Sequence, residues 1–375
     1  MKKTISISVL FLMICISPGY TQTSLRDSVI QIIHKVNRHW QSTHPEQGRA
    51  FWDNAVYHTG NMEAYFLTKD NNYLKYSSDW AEHNQWKGAK SDNKTTWKST
   101  YGETDEHVLF GDWQICFQTY ADLYFIKRKK YKVTRAREVM EYQMNTPKKD
   151  YWYWVDALYM VMPVMTKMYK VTKNEQYLEK LHEYLTACDS IMYDAEAGLY
   201  YRDTKYLYPN HKSVNGKKDF WARGDGWALA AYAKMLKDLP KDDKYRSVYI
   251  QRFQTMAKSV GSCQQPEGYW TRSLLDPEHA PGPETSGTAL FTYALLWGIN
   301  NGILDRGVYE PVVTKSWKYL STVALQDNGK VGYIQPIGEK AIPGQVVNVN
   351  STYNFGVGAF LLAACEQARF LKNNK

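Results

Sequence analysis

The sequence predicts an all-α fold, an (α/α)6 barrel of six helical hairpins. Three observations lead there. Apolar residues recur at helical spacing along almost the whole chain. Clusters of Gly, Pro, Asn and Asp separate these stretches, as at Lys69-Asp70-Asn71-Asn72 and Pro240-Lys241-Asp242-Asp243. A weak internal repeat, in which a turn precedes a Tyr and an amphipathic helix, recurs at Tyr73, Tyr131, Tyr177, Tyr245 and Tyr309. Its uneven spacing argues against an open solenoid, whose repeats keep a tighter period. Hairpins with variable loops that close on themselves fit better.

The first element is a targeting segment. Lys2 and Lys3 precede an apolar run from Ile5 to Ile16, and Pro18, Gly19 and Tyr20-Thr21-Gln22 follow. A charged start, a short apolar run and a small-residue zone read as a secretory signal peptide over residues 1–21. The expected location is therefore periplasmic or secreted. The run is too short to span a bilayer and no later stretch is long enough, so no membrane span is expected. Residues 22–375 then form a single catalytic domain. Helices are expected at roughly 25–41, 54–69, 72–86, 112–126, 131–144, 155–171, 174–190, 225–238, 243–262, 286–300, 308–323 and 354–372. Period-two alternation is confined to Gly198–Arg202 and Gly329–Ile334, which read as hairpin-like pieces. Each hairpin is expected to begin with an inner helix, so that the loops carrying chemistry run into the odd-numbered helices of this series.

Composition narrows the function. The chain has 375 residues, 44 % hydrophobic and 23 % charged, which excludes wholesale disorder and leaves ample length for one large core. The net charge of +9 suits a polyanionic partner. Its one dense basic cluster, Lys127-Arg128-Lys129-Lys130, reads as a solvated turn, so no nucleic-acid partner is expected. With 13 Trp, 30 Tyr and 12 Phe, the chain has either many helix-packing rings or a groove lined by them. Cys116, Cys188, Cys263 and Cys365 form no CxxC pair, so neither a zinc ribbon nor a redox motif is supported. They read as free buried thiols, with one or two disulfides left open in an oxidising compartment. The histidines show neither HxxxH nor HExxH, and no metal site is expected. GxSxG, a Walker loop and GxGxxG are absent, which weakens serine-hydrolase, nucleotide and dinucleotide readings.

Candidate chemistry lies in loops that run into helices. Asp156 starts a helix beside Trp152 and Trp154. A carboxyl among indoles is partly desolvated, which raises its pKa and suits a general acid. An N-cap is the equal alternative. Asp112, beside Trp113, carries the same two readings. Arg223 lies between Trp221 and Trp227 and next to Gly224, an arrangement suited to a planar anion such as a carboxylate. Glu284-Thr285-Ser286-Gly287 reads as a plain helix start.

At these residues the sequence resembles a known family. WVDALYMVMP at 154–163, WARGDGW at 221–227 and ETSGTALFTYAL at 284–295 resemble the signatures of the unsaturated rhamnogalacturonyl hydrolases, glycoside hydrolase family 105. The related unsaturated glucuronyl hydrolases form family 88. The resemblance implies the (α/α)6 barrel, no cofactor, and an acidic oligosaccharide as partner. It also implies hydration of the C4=C5 double bond that polysaccharide lyases leave on a terminal uronic acid. Asp156 would donate the proton to C4, and Asp112 matches the second essential Asp. Trp154, Trp221, Arg223 and Trp227 would hold the sugar ring and its carboxylate. The chain departs from the pattern in two places. Asp225 replaces an Asn common in the family. Arg202 follows Gly198-Leu199-Tyr200-Tyr201 where many members have His, and His211 would substitute from the loop. Uronic acid linked to rhamnose, from ulvan or rhamnogalacturonan, is the expected substrate, and Arg202 with the net charge leans toward a sulfated one. Segments 92–103 and 206–218 would shape the rim. Two other readings stay open: another (α/α)6 glycosidase or lyase using Asp112 and Asp156 as an acid/base pair, and a non-catalytic carbohydrate-binding protein.

Overall fold

Capping and helical periodicity set the element boundaries. Ser24 caps α1 (Leu25–Thr43), its hydroxyl accepting from the Asp27 N–H. Asp70 caps α3 (Asn71–His83), which follows α2 (Trp52–Thr68). A short α4 (Gly111–Gln114) breaks at Ile115 and continues as α5 (Cys116–Ile126). Then come α6 (Tyr131–Met144), α7 (Asp156–Thr172), α8 (Gln176–Met192), α9 (Ala222–Asp238) and α10 (Arg246–Ser262). The series ends with α11 (Thr285–Asn300), α12 (Arg306–Tyr319) and α13 (Asn354–Lys372). With α4 and α5 taken as one broken helix, these are the twelve expected. The computed structural model describes residues 24–372, so the signal peptide expected over 1–21 lies outside the described residues. β1 (Tyr193–Asp194) pairs antiparallel with β2 (Leu199–Tyr200), and Leu325 bridges Val331; β2 and Val331 fall within the two stretches of period-two alternation, and their partners lie outside them.

The helices form two concentric rings. Helices α2, α4–α5, α7, α9, α11 and α13 pack in that order, and α13 closes back onto α2. They are the apolar ones: every residue of α11 from Thr285 to Gly298 is buried. Outside them, α3, α6, α8, α10 and α12 each cover the inner helix that precedes them. One expectation needs correction. The chain does not begin on an inner helix. α1 packs against α13, so the sixth hairpin is formed by the first and last described helices, and the loops at the mouth precede the even-numbered helices of the expected twelve, here α2, α4, α7, α9, α11 and α13. The Tyr repeat marks the outer layer, because Tyr73, Tyr131, Tyr177 and Tyr309 lie in the first turns of α3, α6, α8 and α12, and Tyr245 precedes α10.

Specific contacts hold the inner ring. A Cβ on Gly60 of α2 would come within 2.2 Å of the Gly358 carbonyl oxygen, so glycine permits the close approach of α2 and α13. Pro163 lies inside α7 and cannot donate to the Tyr159 carbonyl one turn back. The Gln118 amide, from α5, donates to that carbonyl at 2.7 Å and repairs the gap. At the end of the barrel away from the site, side chains link all six inner helices. Asp122 and Asp238 pair with Lys167, Glu63 with Lys237 and Arg369, and Asn300 donates to Glu366. Cys116, Cys188 and Cys365 are buried free thiols and Cys263 is a half-buried one. Among the described residues, no helix is long and apolar enough to cross a membrane.

Candidate active site

The inner helices start at one end of the barrel. Asn354, first in α13, donates to Asp53 of α2 at 2.8 Å and to Asn54 at 3.0 Å. Asp112 is the second residue of α4 and Asp156 the first of α7. Neither carboxylate caps its helix, which removes the bland alternative for both. Asp112 is buried, and Asp156 Oδ2 is enclosed without a hydrogen-bond partner.

Their environments push both carboxyls upward in pKa. Burial raises Asp112 well above the usual carboxylate range, the nearby Asp156 charge adds to it, and Arg202 opposes. Burial also raises Asp156, but Arg202 and Arg223 both pull against it. A raised pKa keeps a carboxyl protonated to higher pH, which suits either of the pair to a general-acid role.

Aromatic rings wall the pair. Trp154 is buried and stacks on Phe110 at 4.4 Å. Gly111 lets this pair approach α4, since a Cβ there would meet the Trp154 ring at 3.3 Å. The half-buried Tyr153 accepts from the Tyr101 N–H at 3.2 Å through its hydroxyl.

Arg223 and Trp221 hold a strap, residues 335–346, across one side of the mouth. The Arg223 guanidinium is 1 % exposed and lies over the rings of Trp221 at 4.5 Å and Phe355 at 4.9 Å. Its Nη1 donates to the Gln335 carbonyl at 2.7 Å, and its Nη2 to those of Pro336 at 2.9 Å and Gly338 at 3.4 Å. Burial lowers its pKa to about 10, against the charges of Glu284 and Asp156. Trp221 Nε1 donates to Gln335 Oε1 at 2.9 Å. Arg272 fixes the far end of the strap through the Gln345 carbonyl at 2.9 Å. Glu284 caps α11, as expected, and also accepts from the Gln335 N–H at 3.0 Å.

The sequence reading assigned the carboxylate to Arg223, but its Nη donors already serve backbone carbonyls. Arg202 is the better-placed cation. Its Nε lies 3.4 Å from Asp156 Oδ2, and its Nη1 bridges Asp203 and Glu339. The guanidinium is 21 % exposed, and its Nη2 donates to no acceptor among the described residues. Three carboxylates, Asp156, Asp203 and Glu339, surround Arg202, and Lys205 pairs with Glu339 beside it. Two further expectations need correction. Trp227 is fully buried against Tyr159 in the barrel core and presents no face to the mouth. His211, expected to substitute from the loop, has its Nε2 paired with the buried Asp219 at 2.9 Å.

The strap, Phe110 and Tyr153 escaped sequence reasoning, while Tyr101 falls in segment 92–103, expected at the rim, without having been singled out. Tyr153 stood inside the aromatic run next to Trp154 and could have been taken with it. The strap has no periodicity to read.

Comparison with known proteins bears on this geometry. The family model described as Glycosyl Hydrolase Family 88 matches residues 25–371. An unsaturated 3S-rhamnoglycuronyl hydrolase of Formosa agariphila is 33% identical over 364 residues, covering 92% of this chain and 92% of its own. A solved glycosyl hydrolase family 88 structure from Bacteroides vulgatus is 70% identical, with a TM-score of 0.91 over 92% of this chain and 100% of its own. Another solved structure, described as a polysaccharide lyase, is 72% identical with a TM-score of 0.92 over 93% of this chain and 99% of its own. With the barrel, the motifs and a match over nearly the whole described chain, this protein belongs to glycosyl hydrolase family 88 and is a glycoside hydrolase.

Proposed function

We propose that this chain is an exported unsaturated uronyl hydrolase acting on lyase-generated oligosaccharides, with uronyl-rhamnose units of ulvan or rhamnogalacturonan as the preferred substrate. The observation that carries it is the pair of carboxyls, buried Asp112 and half-buried Asp156, neither capping its helix, on adjacent inner helices inside an aromatic wall. The name of the Formosa relative supports the uronyl-rhamnose linkage. Export rests on the residue pattern of 1–21.

The steps follow from the residues. Arg202 Nη2 takes the uronate carboxylate. Neutral Asp112 donates a hydrogen bond to the sugar. Asp156 gives its proton to C4, and water adds at C5 while passing a proton back to the Asp156 carboxylate. C5 then carries both a hydroxyl and the ring oxygen, a hemiketal. Its ring bond opens to a ketone, and the hemiacetal left at C1 expels the second sugar.

The test follows the ultraviolet absorbance of the C4=C5 group in lyase digests of rhamnogalacturonan, ulvan and chondroitin. A loss on one of the first two digests is expected, with one deuterium at C4 when the reaction runs in heavy water. A gain of absorbance would identify a lyase, and no change a conventional glycosidase or a binding protein. Asp156→Asn should lower kcat at least about a hundredfold.

A further inference from the structure

We propose that Tyr101 is the stacking platform for the sugar that follows the unsaturated uronate, an inference that rests on the uronyl-hydrolase reading. Tyr101 is 64 % exposed, at the rim of the mouth. A lone exposed apolar side chain needs no explanation. This residue differs because its backbone, its hydroxyl and its ring are each held. Its own N–H donates to the Tyr153 hydroxyl at 3.2 Å. Its hydroxyl donates to Glu103 Oε1 at 2.9 Å, and Glu103 is itself paired with Arg49 at 2.7 Å. Its ring meets Phe110 edge-on at 5.7 Å. Phe110 stacks on Trp154, two residues before Asp156, so the three rings run from solvent to the candidate acid.

An exposed ring buries little area and adds little stability. What the three restraints achieve is orientation, with a face left open. That suits a pyranose, whose C–H face packs on an aromatic ring. A 6-deoxyhexose such as rhamnose adds a methyl group to the apolar surface. Tyr101 therefore reads the aglycone sugar, while Arg202 and the two aspartates read the uronate.

The test compares two substrates, an unsaturated uronyl-rhamnose disaccharide and the unsaturated uronate as its methyl glycoside, which lacks the second ring. Tyr101→Ala should lower kcat/KM on the disaccharide about tenfold, mainly through KM. It should leave the methyl glycoside unchanged. Tyr101→Trp, which keeps a ring, should retain most of the activity on both. An equal loss on both substrates, or no loss on either, overturns the platform. Wild-type protein that consumes neither substrate refutes the hydrolase reading instead. Calorimetric titration with the disaccharide then decides the platform: weaker binding by Tyr101→Ala supports it, and equal binding overturns it.

Discussion

At the residue scale, the chemistry turns on how buried carboxyls keep their protons. Asp156 is raised in pKa by burial against two arginines, and it must be protonated to act. The expected profile has kcat/KM constant on the acid side of the raised pKa and falling as pH rises through it, an alkaline limb that a pH series of initial rates measures. Asp225 supplies a second test. It is fully buried, accepts from the Tyr200 N–H at 2.8 Å, and leaves Oδ2 without a partner. Burial raises its pKa well above the carboxylate range. Its folded pKa exceeds its unfolded one, so the stability it contributes is present at low pH and is lost as pH rises through the window between them. A neutral Asp has the shape of Asn, so a neutral side chain fits this buried position. Asp225→Asn should raise Tm by on the order of 1–3 °C at pH 8 and leave it unchanged at pH 3. A lower Tm at pH 8 would show that the charge is used.

At the element scale, two contacts of the inner ring can be removed singly. Gln118→Ala leaves the Tyr159 carbonyl opposite Pro163 without a donor, and should cost about 1–3 kcal/mol in urea unfolding. Gly60→Ala drives a methyl into the Gly358 carbonyl, and should cost about as much or more. A neutral result for either would mean the neighbouring helix moves freely. The helices themselves were legible because their apolar residues repeat with the turn. The break at Ile115 was not, since Cys116 to Ile126 continues the same pattern. Asp112 and Asp156 were legible because Asp beside Trp at a helix start is a local feature. Arg223 was misread because its true partners are backbone carbonyls more than a hundred residues away, which local sequence does not reveal. The inner and outer rings were assigned out of phase for a related reason: the partner of α1 is the last helix of the chain.

At the scale of the whole molecule, the inner ring of the barrel runs in one direction and the outer ring in the other. The six inner helices all run from mouth to base, and each carries about half a positive charge at its start and half a negative charge at its end. The outer helices return from base to mouth and oppose this field, but at the centre of the mouth the starts of the inner helices are the nearer ends. The aspartates of the mouth, Asp53, Asp112 and Asp156, stand at the positive pole. Lys167, Lys170, Lys237 and Arg369 stand at the negative one. Raising ionic strength from 0.05 to 0.5 M should therefore raise KM for the anionic oligosaccharide severalfold, on the order of 3–10, with kcat nearly constant. A KM indifferent to salt would mean the field does not reach the substrate. Because the backbone itself is the source, the pull on an anion survives the loss of any one side chain. Evolution can then exchange the residues of the rim, and with them the sugar recognised, without dismantling the attraction that brings an acidic fragment to the mouth.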